Sequence, residues 1–313
     1  MNLLALADAC ARHPGLQAKR DLGAVADVIG GDGDDAAFLP APGGGDTLAA
    51  AEAIAPAFVR GAPEVAGTAG VVAVLNDIAA SGGRPTALLD TVVAPSREIL
   101  EAILRGVARG SDLAGVPVRG GHVTVAAGSE PALSTAAIGH TGAPLSSSAA
   151  RPGNEVSLAV CLDGVAGEAG GIGFFSHLRG SRRGRWPDDL ALLAEVAEAG
   201  EAWAARDVSM PGIVGSLVQM ADAAGGLGAE LELDRIPIPD GLPVDRWLTL
   251  FPSYAFLLIG ETSPLEGRFA AAGLACARIG RLDASGVVRL VAGDQVAPVW
   301  DLSREPLTGL TGR

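Results

Sequence analysis

The chain has 313 residues, enough for two domains that each bury a core, which excludes a small module stapled by disulfides or metals. Lys and Arg number 23 against 36 Asp and Glu, a net charge of -13, so no nucleic-acid or membrane partner is expected. Hydrophobic residues make up 49% and aromatics only 4%, with 44 Gly and 20 Pro, so the core rests on Ala, Val, Leu and Ile between frequent tight turns.

Met1 to Cys10 is apolar but carries Asp8 and lacks a basic start, which predicts a short helix rather than a signal peptide. No later stretch approaches the ~18 consecutive apolar residues of a membrane span. Val65 to Ala80 is apolar and Ala-rich enough for a buried helix, and Ser81-Gly82-Gly83-Arg84-Pro85 ends it. Thr86 to Val93 follows as a buried strand. Arg97 to Gly110 sets Ile99, Leu100, Ile103, Leu104 and Val107 at helical spacing. Val116 to Val125, β-branched around a Gly-Gly pair, and Ala132 to Gly139 read as strands.

The small and polar run Thr141 to Asn154 marks a domain boundary, giving an N-terminal domain over 1–145, a C-terminal domain over 151–300 and a tail over 301–313. A strand is expected at Val156 to Leu162. Residues 163 to 187, rich in Gly and Arg, predict a mobile loop. Helices are expected over about Asp188 to Ala205 and Pro211 to Ala224, strands near Ala229 to Leu233 and Tyr254 to Ile259, and an irregular tail after about Asp294. Helices and strands alternating over short connections predict an α/β fold with helices covering a sheet. Cys10, Cys161 and Cys276 are odd in number and far apart, which argues against a disulfide framework and fits a reducing cytoplasm.

Several groups could carry chemistry. Gly30-Gly31-Asp32-Gly33-Asp34-Asp35-Ala36-Ala37 crowds three carboxylates among glycines. Carboxylates are hard ligands of the kind Mg²⁺ accepts, and bare glycine N–H groups suit phosphate, though a solvated Asp-Gly turn has the same composition. Asn76 and Asp77 interrupt an otherwise apolar helix, where an unpaired buried carboxylate would cost several kcal/mol, so Asp77 faces a partner, a cation or a wet stripe. Glu52, alone in the apolar stretch Leu48 to Ala57, poses the same question. Gly120-Gly121-His122 weakens its strand and invites close approach by a phosphate, or marks a bulge. Arg206-Asp207-Val208-Ser209 before Met210-Pro211 reads as a helix cap. The basic segment Arg179 to Arg185 could grip an anionic substrate or lie solvated. There is no G-x-x-x-x-G-K-[ST] loop, no H-E-x-x-H and no G-x-S-x-G elbow.

In their order these segments resemble the aminoimidazole ribonucleotide (AIR) synthetase superfamily, which includes thiamine-monophosphate kinase, selenophosphate synthetase and a hydrogenase maturation protein. Gly33-Asp34-Asp35-Ala36-Ala37 is similar to the family's Gly-Asp-Asp-Ala-Ala metal motif. Asn76-Asp77-Ile78-Ala79-Ala80, ending at Pro85, resembles its Asn-Asp-Ile-Ala-Ala segment. Gly120-Gly121-His122 with Glu130-Pro131 resembles the Gly-Gly-His and Glu-Pro pair of selenophosphate synthetase, and Asp207-Val208-Ser209 resembles a later Asp-x-Ser or Asp-x-Thr segment.

The resemblance implies two α/β domains, a mixed N-terminal sheet at the core of a homodimer, and ATP with Mg²⁺ as cofactors for phosphoryl transfer to, or activation of, an oxygen on a small substrate. It further implies metal ligands at Asp35, Asp77, Asp34, Glu52 and Asp207, nucleotide contacts at Gly33, Asp34, Asp35, Asn76, Gly120, Gly121 and Ser209, and catalytic roles for Lys19, Asp207 and His122. Departures narrow the choice. Glu52 stands where relatives carry Asp, Met210 where thiamine-monophosphate kinase carries a second acid, and Leu16 where selenophosphate synthetase carries Cys or selenocysteine. An AIR synthase-related enzyme of unassigned substrate is therefore expected. A nucleotide-binding regulatory or scaffold homologue without turnover, or a Mg²⁺-dependent phosphatase using Asp34 and Asp35, are the alternatives.

Overall fold

A computed structural model of the chain describes residues 2–30 and 34–310. The expected boundary cuts the chain once, after about residue 145. By contacts, the residues group instead as Asp35–Pro144 with Gly164–Glu198, and as 1–34 with Leu145–Asp163 and Ala199–Arg313. Each group is a unit with its own sheet and core.

The unit built on 35–144 and 164–198 has a five-stranded mixed sheet in the order Ala37–Pro40, Asp46–Ile54, Ala132–Thr141, Arg84–Ala94, Val118–Val125. Alternation sets its faces: Leu88, Asp90, Val92 and Ala94 are buried, whereas Leu89 and Thr91 are exposed. The helices Pro63–Ala80 and Arg97–Ala114 cover the buried face. The first begins with Pro63 in its first turn, as a residue with no N–H to lose does, and the second is capped by Ser96, whose Oγ accepts from Ile99 N at 3.4 Å. The two helices touch backbone to backbone. A Cβ on Gly106 would lie 2.0 Å from the Glu64 carbonyl oxygen, and one on Gly67 would lie 2.3 Å from that of Ile103.

The mobile loop expected over 163–187 is ordered structure. Val165–Ala169 and Ile172–Ser176 form an antiparallel hairpin across Gly170-Gly171, a pair of positive-φ residues that suits a two-residue turn. Two 3-10 turns, His177–Arg179 and Ser181–Arg185, lead into the helix Trp186–Glu198. That helix was expected to run to Ala205. It stops seven residues earlier, and Ala202–Asp207 is a strand, because the Gly200 turn redirects a segment of Ala and Trp that then pairs with Ala255–Gly260.

The other unit has a seven-stranded mixed sheet ordered Gln295–Asp301, Val287–Ala292, Gly228–Glu232, Ala275–Asp283, Glu155–Val160, Ala255–Gly260, Ala202–Asp207. From Val156 to Val160 every residue is buried, as in a strand covered on both faces. The helix Gly212–Ala223 is buried throughout. The tail after Asp294, expected to be irregular, opens with a strand that pairs antiparallel with Val287–Ala292. The expected N-terminal helix spans Leu3–Ala11 and is capped by Asn2, and the three cysteines form no disulfide with one another. Among the described residues, no helix is long and apolar enough to cross a membrane.

Candidate functional site

In the first unit, Asp35 sits in the bend that leads into the strand Ala37–Pro40, and Asp77 lies in the penultimate turn of the Pro63–Ala80 helix. One carboxylate oxygen of Asp35 comes within 4.8 Å of one of Asp77. Asp77 is buried and Asn76 beside it is fully so. Two carboxylates this close repel each other in low dielectric unless a cation lies between them, and oxygen pairs of this kind suit a hard divalent ion. Glu52 lies half-buried on the strand Asp46–Ile54. Gly120, Gly121 and His122 lie exposed on Val118–Val125, the edge strand of the sheet, with the His122 ring 3.4 Å from Thr124 Oγ1.

The second unit holds the remaining expected residues. Asp34 accepts a 2.5 Å hydrogen bond from Ser146 Oγ, so the polar run after Gly142, expected as a linker, contributes an anchor for the acidic loop. Lys19 opens the 3-10 helix Lys19–Leu22 and is half-exposed. Asp207 ends the strand Ala202–Asp207, buried beside Arg206, whose Nη1 lies 3.5 Å from Ser147 Oγ. The expected helix cap over Arg206 to Ser209 is not formed. Pro211 takes the N-cap position without a side-chain bond, and Ser209 N instead donates to Ser216 Oγ at 3.0 Å. The hydroxyl one turn inside the helix thus ties down the backbone of the segment that leads into it. Gly33 lies outside the described residues.

Two of the four arginines from Arg179 to Arg185 are held in local pairs. Arg182 holds Asp189 at 2.7 Å and Arg185 holds Asp188 at 3.3 Å, both acids standing in the first turn of the helix that follows. Burial holds the Asp189 carboxyl above its usual range, against the opposing pull of Arg182.

Residues 33–141 match the family model for the N-terminal domain of AIR synthase related proteins, and residues 169–293 match that for the C-terminal domain. The chain belongs to the AIR synthase-related family. It is 32% identical over 298 residues to the uncharacterized protein sll0787 of Synechocystis, covering 90% of this chain and 87% of that one. In fold it is similar to T. maritima PurL complexed with ADP, with a TM-score of 0.71 at 20% identity; the match covers 89% of this chain but only 46% of PurL. It is also similar to AaThiL complexed with AMPPCP and TMP, with a TM-score of 0.65 at 19% identity, over 85% of this chain and 91% of that one.

One residue of this AIR synthase-related chain escaped the sequence reading. Asp90 occupies a core-facing strand position between Leu88 and Val92, 9% exposed, and its register partners are Thr135 on one side and Gly121 on the other. A Cβ on Gly121 would fall 2.5 Å from Asp90 Oδ1, so the glycine makes room for the carboxylate. An acid inside Leu88-Leu89-Asp90-Thr91-Val92 was the available signal. Burial raises its pKa. A group raised on folding contributes its stability below the ordinary carboxylate range and loses it as pH climbs through the folded value. Asp90→Asn, neutral at every pH, is therefore expected to melt above the wild type at pH 8, with the difference shrinking toward pH 4. Equal melting temperatures at pH 8 would show that the carboxylate ionises there without penalty.

Proposed function

We propose that this protein is an ATP- and Mg²⁺-dependent enzyme that transfers a phosphoryl group to, or activates, an oxygen of a small molecule. The approach of Asp35 to Asp77 carries the reading, because it joins two segments 42 residues apart, one resembling the family's Gly-Asp-Asp-Ala-Ala metal motif and the other its Asn-Asp-Ile-Ala-Ala segment. The ADP bound to T. maritima PurL and the AMPPCP bound to AaThiL, both similar in fold, support the nucleotide.

In this reading Asp35 and Asp77 hold the metal, with Asp34, Glu52 and Asp207 as further carboxylates for it. Bound Mg²⁺ would offset charge that develops on the phosphates during transfer. Lys19 takes the charge of the terminal phosphate. Asn76, Ser209 and the backbone of Gly33, Gly120 and Gly121 orient the nucleotide, and His122 hydrogen-bonds the acceptor. No side chain forms a covalent bond. Calorimetric titration with ATP in the presence and absence of Mg²⁺ tests the assignment. Metal-dependent binding is expected, and its absence overturns the reading; tight binding without substrate-dependent ADP release would favour a regulatory homologue.

The same reading includes a homodimer. On the sheet face opposite the two helices, the paired rows Ala51, Ala136, Leu89 and Ala53, Ser134, Thr91 consist mainly of small side chains, and Leu89 is 38% exposed. A second copy covering that face would bury it. Sedimentation at micromolar concentration is expected to give a dimer that Leu89→Glu converts to monomer; a monomeric wild type would refute the pairing.

A further inference from the structure

Asp222, one residue before the end of the helix Gly212–Ala223, is a carboxylate only 1% exposed, and its side-chain partners among the described residues come from the C-terminal tail. Its oxygens accept from Leu307 N at 3.1 Å, from Thr308 N at 2.9 Å and from Thr308 Oγ1 at 2.6 Å. A carboxylate receiving three donors is a strong, directional anchor. Leu302, Leu307 and Leu310 of the tail are buried.

The anchored tail meets the segment that carries Lys19. Glu305 pairs with Arg20, the neighbour of Lys19, and the Thr308 carbonyl lies 3.6 Å from where a Cβ on Gly23 would stand. At its other end this segment is held on the start of the same helix. Leu16 is fully buried with a methyl 3.6 Å from the Cβ position of Gly215, and Gly15 leaves only 3.1 Å to Met210. Residues 15–23 are thus fixed at both ends of one buried helix, and Lys19 lies between the two points. From residue 23 the short helix Gly23–Val28 runs on to the acidic loop, with Val28 and Ile29 more than four-fifths exposed. Its own packing is slight, so what holds it comes from its ends.

We infer that Asp222 is a positioning residue: it pins the C-terminal tail, and the pinned tail holds the Lys19 segment in place for the nucleotide. This rests on the nucleotide reading of Lys19 above. The experiment compares wild type, Asp222→Asn and Thr308→Val, each with and without Lys19→Ala. Asn can accept with only one oxygen, and its amide N–H₂ faces the donors that the other carboxylate oxygen served. Thr308→Val removes a single donor and leaves the anchor charge, which keeps the test available if the Asn variant does not fold.

Amide exchange is expected to rise together in residues 305–310 and 19–28 of both variants, and Mg·ATP affinity to fall about 10-fold in Asp222→Asn, a size usual for a group that orients a ligating residue. In the Lys19→Ala background the same change should leave affinity unaltered, which a general loss of stability would not produce. Release of the tail without faster exchange at 19–28 overturns the inference, as does an equal loss of affinity in both backgrounds. If the wild type binds no Mg·ATP, the nucleotide reading fails instead, and coupled exchange alone upholds or overturns the tail's hold on the segment.

Discussion

Asp77→Asn is expected to weaken Mg·ATP binding about 100-fold, or roughly 2.7 kcal/mol, while leaving the melting temperature unchanged or slightly raised. The substitution keeps the shape of a buried side chain and removes one of two carboxylates that lie within 4.8 Å. Without a cation their mutual repulsion opposes folding, so removing one charge relieves the metal-free protein. With a cation bound, the same change deletes a ligand, and a nucleotide held through the metal is lost with it. Asp35→Asn should act in the same direction, and the double variant should lose little beyond either single one, because both remove the same ion. Calorimetry with Mg·ATP and a thermal melt without metal decide between this and a structural role. A drop in melting temperature with unchanged affinity would make Asp77 a folding residue.

The second large effect concerns stability. Gly106→Ala is expected to destabilise the unit by about 2–3 kcal/mol, because its new methyl would fall 2.0 Å from the backbone carbonyl of Glu64 and neither helix can yield without moving as a whole. The melting temperature should fall by about 4–12 °C. Gly110→Ala on the same helix meets Val71 Cβ at 2.8 Å and should cost less, since a side chain offers more room to adjust than a backbone. Gly120→Ala meets nothing nearer than 3.8 Å and should leave the melt unchanged, whatever it does to ligand binding. A Gly106→Ala protein as stable as the wild type would mean that the two helices slide apart without penalty.

Much of the first unit was open to reading because its signals are local. Pro63–Ala80 is a long apolar run with a glycine and proline stop, and Asp77 stood out as an acid in it that needed a partner, a cation or a wet stripe. The errors fell where local composition is ambiguous. Residues 186–205 are Ala-rich and acidic throughout, so only the turn at Gly200 and the ladder with Ala255–Gly260 separate helix from strand. Gly and Arg over 163–187 suggested mobility, yet Gly170-Gly171 is the turn of a hairpin. Gln295–Asp301 carries Pro298, a residue tolerated on an edge strand, which is where it lies.

By itself the sequence determined the element types with strong periodicity, the lack of a membrane-crossing helix and the acids worth suspecting, because composition and spacing act within one helix turn or one strand. Only the tertiary structure decided which acids meet. Asp35 and Asp77 converge through packing of a bend against a helix, Asp90 is shut in by a glycine on the neighbouring strand, and Asp222 finds its donors 85 residues downstream. Such partners are set by strand order and register, which depend on how the whole core closes and leave no trace in any short window of the chain.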